Sequence, residues 1–569
     1  MQTSHSVAVL FHGALLVCPL LQAQTSSDAA ELQQLKSLVI SQQKELEQQQ
    51  GQIRALQSAM AEQNKKLTSL IDRGSGGAKA VTDVDRDPAY VAAGSGARVP
   101  VGENPPQNHQ QATQSEPPES PPEQQQEAVR EELQRGPEIA DITPATPALA
   151  LGPARVRIIG YPAITTLWRS TNNGGNVATF FGNVPFDNTA AGTTSEFRLS
   201  PQSTRLALRV DADLNSSYAA GYFEMDFGGV PLAGDVAVTA SNYPFRMRQA
   251  WFDWGKGNWE LTGGQLFSLM TPNKAGILPW PGDVAATHVI DNNFVAGLVW
   301  GRYPQLRAVY HFSKQVSLGW SVENPEQQVG DSVVFPTALT STLSNQYNTG
   351  SNQLGVPNMT PDFVFKGSFD GKPRGDRSIH FDVGTVSRVF RSWNGRSVYG
   401  KEHAFGWGVG TNFSVELTQG VRFVLQGFAG AGAGRYIGGL APDVVVRPNG
   451  TISPIHSYSW VSGIEVAPNK TTGLYAYYSG VYAQRNSVLN SDGVCCVGFG
   501  YPGANTNADR LIEELTAGYS KVLWNFENVG SVQWGVQYAY QWLEPWVIGT
   551  GPSSAKQNMV FAQMRYNLP

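Results

Sequence analysis

The sequence predicts an all-β transmembrane barrel of about 16 antiparallel strands, preceded by an α-helical coiled coil and a disordered Pro-rich linker. Three observations lead there. Strand-length segments of alternating apolar and polar residues recur from Ala154 to the C-terminus. Only 15% of residues are charged, while aromatics reach 10% and glycines number 60. The N-terminus has the layout of an export signal.

Alternation is clearest in VQWGVQYAYQW, residues 532–542. A strand sends successive side chains to opposite faces. Val532, Trp534, Val536, Tyr538, Tyr540 and Trp542 therefore share one face, and Gln533, Gly535, Gln537, Ala539 and Gln541 the other. The same pattern sets Leu206, Leu208 and Val210 against Arg205, Ala207, Arg209 and Asp211, and Phe223, Met225 and Phe227 against Tyr222, Glu224 and Asp226. It returns in LRAVYHF (306–312), IHFDVG (379–384) and FGWGVGTNFSV (405–415). A water-soluble sandwich also alternates, but its outer face is rich in Lys, Glu and Thr. Here the apolar set is crowded with Trp, Tyr and Phe, which suits a lipid-facing wall around a wet lumen. Lipid leaves no partner for an unpaired backbone group, so a spanning sheet must close. The roughly 416 residues of this region, at about 25 per strand and loop, give about 16 strands.

The first 23 residues read as a signal peptide. Val7 to Leu21 is apolar and too short to span, and Ala23 supplies the small residue for cleavage. The segment before it has no Lys or Arg. A lipoprotein site at Cys18 is disfavoured by Val17 before it and Pro19 after it. With the signal removed, Cys495 and Cys496 remain, and the expectation is a loop staple: a vicinal disulfide or a bond elsewhere. Their spacing matches no metal site, and no cofactor is expected.

Residues 24–73 form the coiled coil. Leu32, Val39, Leu46, Ile53, Met60 and Leu67 fall on one heptad position, and Leu35, Gln42, Gln49, Leu56, Gln63 and Leu70 on its partner. Three Gln layers make the coil oligomeric but modest in strength. Residues 74–153, with GSGG, NPPQNHQQ and SEPPESPPEQQQ, read as the linker. These first 153 residues carry 11 of 41 basic and 18 of 46 acidic residues, leaving 30 basic and 28 acidic for 154–569. The barrel region is thus nearly neutral, which argues against nucleic acid as a partner.

Within that region the chain resembles the DcaP-like outer-membrane porins. The resemblance rests on GYPAITTLW (160–168), RLSPQSTRLALRV (198–210), GYFEMDFGG (221–229), RMRQAWFDWGKGNWELTGGQLFSLMTP (246–272) and ENPE (323–326), and on the coil followed by a Pro-rich stretch. It implies a homotrimer of 16-stranded barrels in outer-membrane lipid, delivered by the barrel-assembly machinery, with the coil in the periplasm. It also implies passage of small, often anionic, solutes. The chain ends Leu568-Pro569, whereas closing strands of such barrels usually end in an aromatic residue.

Function is expected in a narrowed lumen. The long loop 271–294, with Pro272, Pro279, Pro281 and the tip WPGD, is expected to fold inward, the alternative being an external cap. Folded inward, it would bring Lys274, Asp283, His288 and Asp291 to the constriction. Arg205, Arg209, Arg246, Arg248 and Arg307 fall on lumen-facing sets, with Glu224 and Asp226 beside them. Guanidiniums in a narrow wet channel lower the barrier for anions; the same residues also suit a salt-bridge lattice that stiffens the wall. Passive diffusion of small hydrophilic solutes follows, with a mild preference for anions such as dicarboxylates. An envelope tether whose coil contacts peptidoglycan is the alternative. Enzyme signatures are poor: GAGAGRYIGG (430–439) lacks the Gly-Lys-Ser/Thr ending of a phosphate loop and suits a strand or turn, and no Ser motif resembles a nucleophile elbow.

Overall fold

The computed structural model describes residues 148–569 except 174–176, 178, 180, 230–242, 280–294, 350–357, 375–376, 395–399, 494–495, 502–507, 527–528 and 547–551. The chain divides into two units, Met1–Ala112 and Thr113–Pro569, and every described residue belongs to the second. The signal peptide, the coil and the linker as far as residue 147 lie outside the described residues.

Strands dominate. The first are β1 (Leu149–Leu151), β2 (Ala154–Tyr161), β3 (Ala163–Arg169), β4 (Glu196–Ser200), β5 (Arg205–Asp213) and β6 (Ser217–Asp226). Next come β7 (Arg246–Lys256), β8 (Trp259–Phe267), β9 (Arg302–His311), β10 (Val316–Glu323), β11 (Asp362–Arg374) and β12 (Arg377–Trp393). Then follow β13 (Lys401–Thr418), β14 (Val421–Ala431), β15 (Val444–Val446), β16 (Ile452–Pro454), β17 (His456–Asn469) and β18 (Thr472–Ala483). The last are β19 (Asn486–Val488), β20 (Val497–Phe499), β21 (Asp509–Phe526), β22 (Gly530–Pro545) and β23 (Ala555–Asn567). Two four-residue helices, α1 (Ala190–Thr193) and α2 (Thr340–Leu343), sit in connections. Among the described residues no helix is long and apolar enough to cross a membrane, which says nothing of strands.

The sheet begins earlier than the sequence boundary at residue 154. β1 pairs antiparallel with β2, Leu149 facing Val156, because the apolar Leu-Ala-Leu run at the end of the linker completes a ladder. β15–β16 and β19–β20 form separate two-stranded pairs. All other strands form one antiparallel sheet of neighbouring hairpins. Its last strand, β23, pairs with β22 on one side and with β3 on the other. Pro162 separates β2 from β3 because it has no N–H to give, yet its carbonyl still accepts Tyr566 N–H of β23 at 3.1 Å. Thr204 Oγ1 accepts the neighbouring Ala163 N–H at 3.0 Å, bridging the break between β4 and β5.

The two faces are reversed relative to a soluble sheet. On β22, Trp534 and Tyr538 are 38% and 45% exposed, whereas Gln533 and Gln541 are 6% and 0% exposed. The same inversion exposes Leu208, Phe223, Leu306, Phe381 and Phe405 and buries Arg209, Glu224, Arg307, Asp382 and Asn412. Connections alternate as well. Those at 214–216, 257–258, 312–315, 375–376, 419–420 and 470–471 are short, while 227–245, 268–301, 324–361 and 432–455 are long. Connections 170–195, 268–301 and 432–455 supply an apolar cluster against the inner wall: Phe181, Leu269, Met270, Ile277, Ala296, Val299 and Ile437 cluster with Val364, Phe428, Val481, Ile512 and Leu543 of the strands.

Candidate functional site

The site is built where the chain leaves β8 and turns onto the polar face. Glu323, at the end of β10, accepts Leu269 N–H at 2.9 Å and Ser268 Oγ–H at 3.0 and 2.9 Å. Lys366 Nζ on β11 donates to the Thr271 carbonyl at 2.7 Å and to Asn273 Oδ1 at 2.8 Å. Asn273 N–H reaches Asp382 Oδ2 of β12 at 3.2 Å, and Asn412 Nδ2 of β13 donates to the Asn273 carbonyl at 2.6 Å. Gly276 N–H meets Asp370 Oδ2 at 3.0 Å. His380 bridges Asp370 and Asp382 at 2.8 and 2.9 Å, and Lys366 lies 3.4 Å from Asp382. A loop that leaves water must find partners for its backbone, and this wall supplies them. On the return limb, Ala296 N–H donates to Glu514 Oε2 of β21 at 2.8 Å.

Glycines admit the segment. A Cβ on Gly384 or Gly410 would lie 3.1 or 3.2 Å from Met270. Gly297 has φ +83°, and a Cβ there would lie 2.3 Å from the Gly480 carbonyl oxygen, so only glycine fits. Between segment and wall, Met270, Pro272, Gly297, Asp382 and Gln426 line a cavity of about 10 Å³, close to the space of one water.

Of the 271–294 loop, residues 271–279 are described, and they lie against the polar face. Lys274 ends 3.2 Å from Glu465 Oε2. Asp283, His288 and Asp291 lie outside the described residues.

The arginine group is brought together but largely paired. Arg248 meets Glu224 at 2.5 Å and Asp226 at 2.9 Å. Arg246 bonds both oxygens of Asp226, at 2.9 and 2.5 Å, and keeps 43% of its side chain exposed. Arg209 Nε donates to Asp211 at 2.8 Å, and Arg157 pairs with the same carboxylate. Arg205 is half-buried over the ring of Tyr161 at 5.7 Å, with Arg565 on that ring at 4.8 Å. Arg307 bonds the inward segment itself. Its guanidinium donates to the carbonyls of Phe267 at 2.6 Å and Leu278 at 2.8 Å, holding the outgoing limb at two points.

A second inward segment was not legible in the sequence. Beyond β14 the Gly-rich stretch forms a 3-10 turn at Gly434–Tyr436. Arg388 of β12 binds Asp362 at 3.0 Å and Asp443 at 2.9 Å, and Arg435 N–H donates to Asp443 Oδ1 at 2.9 Å. Tyr436 Oη–H reaches Glu323 at 3.2 Å and Asp362 at 3.0 Å, and Arg435 stacks on Tyr303 at 3.9 Å. Burial raises the Asp443 carboxyl above its ordinary range against the pull of Arg388. The ENPE stretch thus contributes Glu323, which ties both inward segments to one carboxylate. Cys496 is disulfide-bonded, and Cys495 lies outside the described residues. Among the described residues no group of three or more His, Cys, Asp or Glu side chains converges as a metal site.

An antiparallel sheet with an apolar outer face, a polar inner face and inward-turned connections defines the class: the chain has a porin-type fold. It is similar to the outer membrane channel DcaP of Acinetobacter baumannii, with a TM-score of 0.52 and 17% identity over 73% of this chain and 97% of that one. At that identity the likeness establishes the fold, and the resemblance to DcaP-like porins is met at that level. An anion-selective porin from Comamonas acidovorans aligns with a TM-score of 0.40 and 11% identity over 73% of this chain and 100% of that one. OmpT of Vibrio cholerae aligns with a TM-score of 0.38 and 11% identity over 74% of this chain and 100% of that one. No protein-family profile and no curated protein matches the sequence.

Proposed function

We propose that the protein is an outer-membrane porin for passive diffusion of small hydrophilic solutes. The observation that carries this reading is the pairing of an inverted sheet with a segment turned onto its polar face. Trp534 and Tyr538 outside with Gln533 and Gln541 inside suit lipid without and water within. Each loop-to-wall bond at Lys366, Asp382, Asn412 and Arg307 narrows the wet interior rather than filling an active site.

The sheet supports a closed barrel. Setting aside β1 and the pairs β15–β16 and β19–β20, and counting β2 with β3 and β4 with β5 as single staves, leaves 16 staves, each bonded to two neighbours, with β23 returning to β3. In barrels of this kind short turns face the periplasm and long loops the exterior. The coil of residues 24–73 then lies in the periplasm after export, and three copies assemble side by side in outer-membrane lipid. Mild anion preference is carried by the arginine group Arg205, Arg209, Arg246 and Arg248, of which Arg246 keeps 43% of its side chain exposed.

Liposome swelling tests the reading. Proteoliposomes should swell in small sugars and faster in dicarboxylates of similar size. Vesicles that hold folded protein yet swell no faster than protein-free ones would contradict it.

A further inference from the structure

Backbone register on the inner wall lines up the groups that receive the inward segments. Starting at Asp382 on β12, register partners lead through Asn412 and Gln426, past Val461 to Ser479, then through Glu514 and Gln541 to Gln557 on β23. Across these eight strands the line is polar except at Val461. The next inward line toward the long connections is small or apolar at Gly384, Gly410, Phe428, Val481, Ile512 and Leu543.

The polar line does one repeated thing. Asp382 and Asn412 take the N–H and carbonyl of Asn273, at 3.2 and 2.6 Å. Glu514 takes the N–H of Ala296 at 2.8 Å. Gln541 Nε2 donates to the Phe181 carbonyl at 2.5 Å, and Gln557 Nε2 to Thr171 Oγ1 at 2.6 Å. Four of these five bonds go to main chain, and they reach two connections: at Thr171 and Phe181 between β3 and β4, and at Asn273 and Ala296 between β8 and β9. Met270 lies against Gly384 and Gly410 of the neighbouring apolar line, and Ala296 and Val299 share one apolar cluster with its Phe428, Val481, Ile512 and Leu543. One line therefore satisfies loop backbone while the next buries loop side chains.

We propose that this register line is a docking rail: Asn412, Glu514 and Gln541 are positioning residues that hold the inward segments and so fix the cross-section of the channel. The proposal rests on the reading of the protein as a channel. Strands of such barrels tilt by roughly 35–45°, so a line of register partners climbs the wall and seats successive segments at successive heights.

Planar-bilayer recordings of the full-length protein test it with Glu514→Leu, Gln541→Leu and Glu514→Gln. Glutamine keeps an acceptor for Ala296 N–H, and leucine does not. Both leucine variants should conduct about twofold more than wild type, with added current noise, because a released segment widens the path. Glu514→Gln should match wild type. Unchanged conductance in both leucine variants overturns the rail, as does a Glu514→Gln channel altered as much as Glu514→Leu. Hydrogen exchange at Ala296 supplies a readout independent of current and of the channel reading: it should be faster in Glu514→Leu than in Glu514→Gln, and equal rates also overturn the rail. Should leucine prevent folding, Gln541→Asn, one methylene short of Phe181, should loosen that segment in the same assay; wild-type protection there overturns the proposal. A wild-type protein that folds without conducting sinks the channel reading alone.

Discussion

The side-chain amide of Asn412 donates to the main-chain carbonyl of Asn273 at 2.6 Å across 139 positions of sequence. A strand side chain thereby satisfies the backbone of a connection that has turned onto the polar face. Lys366 completes the clasp from β11. Lys366→Met should leave the Thr271 carbonyl without this donor and cost about 1–3 kcal/mol locally. Amide exchange across 269–276 should accelerate by roughly ten- to hundredfold while the strands stay protected.

Face inversion predicts opposite tolerance at neighbouring positions. Tyr538→Lys places a cation on the exposed apolar face and should cost about 2–4 kcal/mol if it lies near the membrane midplane. Gln537→Lys, one residue earlier on the polar face, should cost less than half of that. Urea titration of folding into vesicles measures both, and equal costs would contradict the assignment of the faces.

Carboxylates near the arginines should offset part of their charge in the proposed pore. Asp226 takes charge from both Arg246 and Arg248. Asp226→Asn should shift the reversal potential across a salt gradient toward anion selectivity, and Arg205→Ala should shift it the other way. A lattice with no part in permeation would leave both potentials where they were.

Glycine at the seat of the inward segment is a steric requirement. A side chain on Gly410 would press on Met270, whose methyl lies 3.2 Å from the position of its Cβ. Gly410→Val should push the segment off the wall, changing single-channel conductance while the folded barrel keeps its gel mobility before and after heating.

Local pattern made part of this legible. Alternation of Trp534, Tyr538 and Trp542 with Gln533, Gln537 and Gln541 is a period-two signal that needs no partner strand to be read. The same rule put Arg205, Arg209, Arg248 and Glu224 on the polar face. The same rule placed Arg307 on the polar face but could not show its bonds to Phe267 and Leu278, which depend on where the loop travels. The cluster of Arg388, Asp362, Asp443 and Arg435 joins two strands and a connection. No spacing in the sequence marks such long-range pairings, which follow from register and loop path. Glu323 stood in a quoted motif, yet its role became visible only when Leu269 and Tyr436 were found on one carboxylate.

Single-channel recording tests the central claim most directly. Purified protein added to a planar bilayer should raise the current in discrete, equal steps that persist without ligand or energy source. Protein that inserts in folded form and produces no steps would contradict the claim that this inverted sheet encloses a diffusion pore.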